Sequence, residues 1–327
     1  ARTNLDGYQP SAVADGDLKI EDRWLLSRLA TVTAEVSEAL DTYRFADAAR
    51  ALYDFAWNEF CSFYLEMTKA RFAGENADKQ VAQHVLAHAL DTLLRLLHPM
   101  TPFLTEEVWQ LLGEGAPQRG LQDAQAAAES VCVAPWPESD ASAIDPTIEE
   151  QFAKFQAVLG AVREVRQAQT IPNKETVEFV VRCDDSPAKL LKPMQPYFTQ
   201  MARATATALG PDAAMPEITS SKSLSGFDGS RGDGARGEGS RGEGSRGEGA
   251  IEVHVDVAAF IDVEAEKQRL AKEQANLTKF VGSLRGKLSN DKFVANAPAE
   301  VVEAERAKLA EAESQLAAVE TAIGKLG

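Results

Sequence analysis

From residue 263 onward, apolar side chains return every seven positions, and the pattern breaks once, at a short segment ending in Asn296-Ala297-Pro298. Val263, Leu270, Leu277 and Leu284 form one seam, joined by Val281 and Leu288. Beyond the break Val302, Leu309, Leu316 and Ile323 repeat, with Ala312, Val319 and Leu326 beside them. A seam of this kind must be buried against another helix. Two chains pairing in a straight coil would give no reason for the break, whereas a single chain folding back on itself uses it as a tip. Pro298 suits the first position of the returning helix, where its missing N–H costs nothing. Each helix would run roughly 40 Å at 1.5 Å per residue. Residues 262–327 are therefore expected to form an antiparallel coiled-coil hairpin.

Upstream the period is that of ordinary packed helices. Leu25, Leu29, Val32, Val36 and Leu40 step by three and four. Phe45, Ala49, Leu52, Ala56, Phe60, Phe63 and Met67 do the same, so these seven are expected to face inward. A third helix carries Val81, Val85, Ala89, Leu93 and Leu96 and stops at Pro99. Thr101 is expected to cap a fourth, with Pro102 at its first position and Gly113 closing it. A fifth carries Ile148, Phe152, Phe155, Val158, Val162 and Val165. Short links between such segments predict an antiparallel helix bundle over 1–170. The chain is thus expected to be mainly α.

Beyond Ala168 the pattern changes. "TVEFVVRC" (Thr176 to Cys183) is β-branched and "AIEVHVDV" (Ala250 to Val257) alternates, so both read as strands. The stretch between them includes "PAKLLKPMQPYFTQMARA", helical with two interrupting prolines. Residues 171–261 are expected to form a small α/β subdomain. Within it "RGDGARGEGSRGEGSRGEGA" (Arg231 to Ala250) has too much glycine to bury a core, which predicts a disordered loop over 220–249. An RNA-binding Arg-Gly segment is the alternative, but the paired Asp and Glu cancel the field it would need.

Chemistry is sparse. Cys61, Cys132 and Cys183 are far apart with no CxxC, which fits free thiols better than a disulfide frame or a zinc site. No membrane span is expected, because the longest apolar stretch, "VAQHVLAHALDTLLRLL", holds His84, His88, Asp91 and Arg95. His84, His88 and Asp91 at i, i+4 and i+7 could hold a metal, but "HVLAH" lacks a metalloprotease glutamate and reads as a solvated polar face. There is no phosphate loop and no nucleophile motif. No catalytic, cofactor or metal residue is assigned. Binding residues are the better candidates. Trp24, Tyr43, Phe45, Trp57, Phe63, Tyr64 and Phe72 lie among Arg23, Arg28, Arg44, Arg50, Lys69 and Arg71, a mixture of cations and stacking faces that suits single-stranded RNA. Arg163 and Arg166, then Lys279, Arg285, Lys287 and Lys292, give two further basic groups. The formal net charge of -16 argues against non-specific attraction to nucleic acid but leaves local basic faces possible.

The segments "DRWLLSRL", "LYDFAWNEFCSFYLEMTKARF", "LRLLHPMTPFLTEEVWQLL" and "APWP", in this order, resemble the anticodon-binding helical domain of the valine, isoleucine and leucine aminoacyl-tRNA synthetases, which are class I enzymes. "DVEAEKQRLAKE" followed by "KLSNDKFVANAPAEVVEAERAKL" is similar to the C-terminal coiled-coil arm of the valine–tRNA ligase family. The resemblance implies a tRNA-binding C-terminal portion. Its bundle would read the anticodon of tRNA(Val), with Arg23, Trp24 and Arg71 as candidates. Arg163 and Arg166 would form a second patch, and Arg285, Lys287 and Lys292 would serve an arm leaning on the tRNA outer corner. The family's ATP-binding signatures belong to a preceding nucleotide-binding domain; "SSKSLSG" (Ser220 to Gly226) mimics one of them but lies in a linker. ATP and magnesium would thus be used by the full-length enzyme, with the N-terminal catalytic domain as a partner and this chain inactive alone. A monomeric cytoplasmic protein is implied. The alternatives are an isoleucine or leucine relative, and a non-enzymatic helical scaffold with a coiled-coil arm.

Overall fold

The computed structural model describes residues 2–74, 77–216, 218–224, 251–260 and 263–289, with 308, 309, 312, 316, 317 and 319. The chain divides into two compact units, Ala1–Ala157 with Pro196–Met201, and Val158–Gln195 with Ala202–Gly327.

The first unit is helical. Helix α1 (Ile20–Asp41) buries Leu25, Leu29, Val32 and Val36 at the expected spacing. Helix α2 (Phe45–Tyr53) runs on into a π-helical stretch, Asp54–Tyr64, and two short turns, Leu65–Met67 and Lys69–Phe72. Its buried side is Ala48, Leu52, Phe55, Phe60, Tyr64 and Met67. Phe45 and Ala49, expected inside, are exposed. Within α2 the inward positions are Ala48 and Leu52, and Phe45 opens the helix at the exposed corner. Further on, the step of five from Phe55 to Phe60 is that of a wider π turn, which brings Phe55 and Tyr64 inward in place of Ala56 and Phe63. Helix α3 (Ala77–Leu97) buries Val85, Ala89, Leu93 and Leu96. Helix α4 (Pro102–Gly115) continues two residues past the expected stop. Pro102 opens it, but the Thr101 hydroxyl donates back to the Leu97 carbonyl at 3.3 Å and leaves the helix N–H groups uncapped.

The turn between α1 and α2 closes with two hydrogen bonds, Arg44 N–H to the Ala39 carbonyl at 2.7 Å and Tyr43 N–H to that of Leu40 at 3.1 Å. This is the Schellman arrangement, which wants a left-handed residue, usually glycine. Tyr43 fills that position with φ 59° and is 80% exposed.

The second unit takes the later half of helix α5 (Pro146–Ala168) and a four-stranded mixed sheet. After the short antiparallel pair β1 (Gln118–Arg119) and β2 (Gln125–Ala126) of the first unit, the strand order of this sheet is β4 (Ala204–Leu209), β3 (Val177–Arg182), β6 (Ile251–Asp256), β5 (Thr219–Leu224). Strand β3 runs parallel to β4 and antiparallel to β6, with Val180 opposite His254. Val177, Phe179, Val181, Ile251, Val253 and Val255 are buried, as the alternation predicts. Two strands of this sheet, β4 and β5, are new. Residues 220–224, expected in a loop, are the edge strand β5, and the Lys222 ammonium pairs with Glu164 of α5. Residues 225–250, the rest of the expected loop, lie outside the described residues.

In the arm, helix α6 (Val263–Leu288) places Val281 and Leu284 in one apolar cluster with Ala312, against which Leu309 and Leu316 pack. Both segments of the heptad seam therefore meet within a single chain. The tip, Asp291 to Pro298, lies outside the described residues.

The left-handed tyrosine carries a stability cost of about 1 kcal/mol. Tyr43→Gly, which leaves no cavity at an exposed site, is expected to raise the stability of the chain by about that amount. Urea denaturation followed by circular dichroism measures it; a destabilised variant would show that the tyrosine ring itself holds the corner.

Candidate nucleic-acid interface

The basic residues divide into those the fold consumes and those it displays. Arg71 belongs to the first group. Its Nη1 lies 2.9 Å from Glu21 Oε1 and 2.8 Å from Asp22 Oδ2, and its Nε is 2.8 Å from Asp78 Oδ1. The Tyr64 hydroxyl donates to Asp22 Oδ1 at 3.0 Å, and that of Tyr197 to Glu21 Oε2 at 2.6 Å. The Lys19 N–H donates to Asp22 as well, tying the same carboxylate to the first turn of α1. Burial raises the Asp22 pKa, an effect that Arg71 partly offsets. Burial also pushes the Tyr64 and Tyr197 hydroxyls upward, so both act as donors.

Trp24 is 2% exposed, stacked on Phe152 at 4.4 Å with the rings 3° apart, and edged by Phe63 at 6.5 Å. It leaves no face for a base. Arg166 is also buried and donates to three backbone carbonyls, of Pro172 at 2.9 Å, Glu175 at 3.0 Å and Arg203 at 3.3 Å. Trp24, Arg71 and Arg166 were expected to touch RNA; instead they are spent on packing, a buried ion network and a loop clamp. Arg28 is likewise engaged, pairing with Glu59 through Nε at 2.8 Å and Nη2 at 2.9 Å, and with Glu149 at 3.2 Å. Arg119, missed in the sequence, is buried over the Trp109 ring at 4.1 Å, with Asp91 3.4 Å from its Nε.

Of the cations expected to contact RNA, Arg23, Arg163, Arg285 and Lys287 are exposed, as are Arg44, Arg50, Lys69 and Lys279. Arg23 stands on the outer side of α1 next to the Arg71 network, its Nη2 donating to the Asp15 carbonyl at 3.1 Å. Lys69, paired with Glu66, is exposed on the segment that Arg71 anchors. Arg285 and Lys287 lie in the last turn of α6. Lys292 lies outside the described residues.

The His84, His88 and Asp91 trio is no solvated face. His84 is buried: its Nε2 accepts from Ser11 N–H at 2.9 Å, so Nδ1 carries the proton that meets the Gln80 carbonyl at 2.7 Å. Asp91 pairs with Arg95 at 2.6 Å. His88 has its pKa lowered by burial, against the pull of Asp91 and Asp140.

A family model described as the anticodon-binding domain of tRNA ligase matches residues 22–181. A second, described as the valyl tRNA synthetase tRNA binding arm, matches residues 262–327. Together they define the tRNA-binding part of an aminoacyl-tRNA ligase. The valine–tRNA ligase of Rhodopirellula baltica is 45% identical over 323 residues, 99% of this chain and 29% of the relative. Those of Geobacter sulfurreducens and Nocardia farcinica are 34% and 33% identical, covering 95% and 99% of this chain and 32% of each relative. The chain belongs to the valine–tRNA ligase family and spans about a third of the length of these relatives.

Two expectations follow from the buried groups. Arg71→Met leaves two carboxylates without their cation and is expected to cost about 3–5 kcal/mol. Trp24→Ala is expected to cost a similar 3–5 kcal/mol, roughly, through the missing stacking volume. Denaturant titration decides; a Trp24 variant of unchanged stability would make that ring a base-stacking candidate again. His88 gives a pH dependence with a definite sign. The unfolded chain takes up its proton as the pH falls through 6.5, while the folded chain resists, so stability should drop on the acid side. Melting temperatures between pH 7 and pH 5 should therefore fall less steeply for His88→Asn than for the parent chain.

Proposed function

We propose that this chain holds tRNA(Val) for a valine–tRNA ligase, its helical unit reading the anticodon and its arm bearing on the outer corner of the tRNA. The observation that carries the reading is the joint match of both modules in one chain. The helical module alone would fit an isoleucine or leucine enzyme equally well; the arm singles out valine. Exposed Arg23 on α1, exposed Arg163 on α5, and Arg285 and Lys287 on α6 support phosphate contact at separate places. The bundle, 1–170, and the arm, 262–327, would thus be two RNA-binding domains flanking the α/β element of 171–261.

In this reading the chain has no catalytic residue of its own. Attachment of valine, with ATP and magnesium, belongs to the remaining part of the full-length enzyme, which would be its partner in a monomeric cytoplasmic protein. No described helix is long and apolar enough to cross a membrane. The scaffold alternative explains the seam and the acidity but leaves the pairing of Val281 and Leu284 with Ala312 inside one chain without a purpose.

Filter binding of tRNA(Val) by the chain tests the proposal. Reversing Arg285 and Lys287 to Glu should lower affinity most at low salt, and the salt slope should shrink by about one unit for each phosphate interaction removed. Deleting 262–327 should weaken binding to whole tRNA and spare a tRNA(Val) anticodon stem-loop. Equal affinity for whole tRNA after the deletion would overturn the role of the arm.

A further inference from the structure

The helical segment 45–57 is apolar on both sides. Ala48, Leu52 and Phe55 are buried within its own unit. On the opposite side Phe45 is 58% exposed, Tyr53 62% and Trp57 61%, with small Ala49 exposed between them. Tyr43, at the preceding corner, adds a ring 6.2 Å from that of Phe45 and nearly perpendicular to it. These four rings extend for about 18 Å along the segment, by the rise of a helix. A surface helix normally turns a polar face outward. Here the three exposed rings stand among only a few polar residues, and no described residue covers them.

We propose that this aromatic ridge is the seat of the remaining part of a full-length valine–tRNA ligase polypeptide, packed on Phe45, Tyr53 and Trp57 as an interdomain contact. The inference rests on the reading of the chain as one portion of such an enzyme. Its relatives carry about twice as many residues again outside the span that matches here. Charge weighs against RNA as the occupant. Asp41, Asp47 and Asp54 are exposed along the segment against two exposed cations, Arg50 and Arg44, of which Arg44 is held by Glu38 at 2.9 Å and by Asp47 at 3.4 Å. A phosphate backbone requires a net positive groove. Tyr, Trp, Phe and Arg with few lysines are instead the residue types of protein contacts.

Size weighs against a second copy. Aromatic side chains cover roughly 150–250 Å² each when buried, so four partly exposed rings offer on the order of 500 Å². A stable association of separate chains needs about 800 Å² per partner. A contact within one polypeptide, where the partner is held nearby by the chain, needs less. Tyr43 fits the same picture: its left-handed backbone would favour glycine, yet the position keeps a ring on the ridge.

Carbene footprinting read by mass spectrometry can test the assignment on two proteins, the 327-residue chain and a chimera joining it to the remaining two-thirds of the Rhodopirellula baltica relative. Labelling of Tyr53 and Trp57 should be strong in the chain alone and fall several-fold in the chimera. The double variant Tyr53→Ser, Trp57→Ser should leave the melting temperature of the chain unchanged and lower that of the chimera. Equal labelling in both proteins overturns the proposal. So does protection in the chain alone that grows with its concentration, which would mean a second copy, or protection that appears only when tRNA is added. Failure of tRNA binding by the chain would defeat the functional reading without altering the footprint, so the two failures are distinguishable.

Discussion

A guanidinium taken out of water among carboxylates is the fixed point of the helical unit. Arg71 closes the long second helical segment, Glu21 and Asp22 stand in the first turn of α1, and Asp78 in the first turn of α3. Placing charges there is expensive, and the mutual attraction returns that cost only if the geometry is good and every lone pair has a donor. Tyr64, Tyr197 and the Lys19 N–H supply donors to the carboxylates, so the network forms only when five separate stretches of chain arrive together. Such a cluster adds little net stability compared with apolar packing, but it discriminates strongly between the right arrangement and a slipped one. The acids also lie at helix N-termini, where the backbone dipole favours negative charge. Arg28, held by Glu59 and Glu149, repeats the device further along α1 and fixes the π-helical stretch and the start of α5 to it.

Hydrophobic period made the architecture legible, because burial is what period records. The heptads of Val281, Leu284, Ala312 and Leu316 predicted contact within one chain, and the strands Val177–Arg182 and Ile251–Asp256 were visible from their β-branched alternation. The two missed strands had no such signal. "ATATAL" is built from small residues, and "TSSKSL" is polar because an edge strand needs one covered face at most. The π-helical stretch left no trace in composition; only the inward turn of Phe55 and Tyr64 in place of Ala56 and Phe63 reveals it.

The candidate interface was legible in kind and not in address. Sequence shows that a chain is rich in arginine and aromatic residues near one another, and it cannot show which are inside. Trp24 precedes a strongly periodic run and Arg71 follows one, so both read as surface positions flanking a helix. In the fold, the first sits under Phe152 and the second among three acids. Conversely Phe45 and Ala49 read as core by period and stand outside, since the inward side of that helix is Ala48 and Leu52, a choice of phase that the apolar and small residues around it leave open.

This sorting changes what the overall charge means. A net charge of -16 would repel a polyanion if spread evenly, yet two of the acids are not on the surface at all: Glu21 and Asp22 are buried with Arg71. The same holds for the cations. Arg71, Arg119 and Arg166 are buried and engaged internally, so they release no counterions when RNA approaches. What a tRNA would meet is the local balance around Arg23 on the bundle, and around Arg285 and Lys287 in the last turn of α6. On the proposed function, a few well-placed phosphate contacts on an otherwise acidic surface would suit a protein that holds one folded RNA and rejects bulk nucleic acid. Attraction would then act only where the shape already fits, because the Debye length at physiological salt is about 8 Å. On that reading the acidity of the chain favours selective binding and is no obstacle to it.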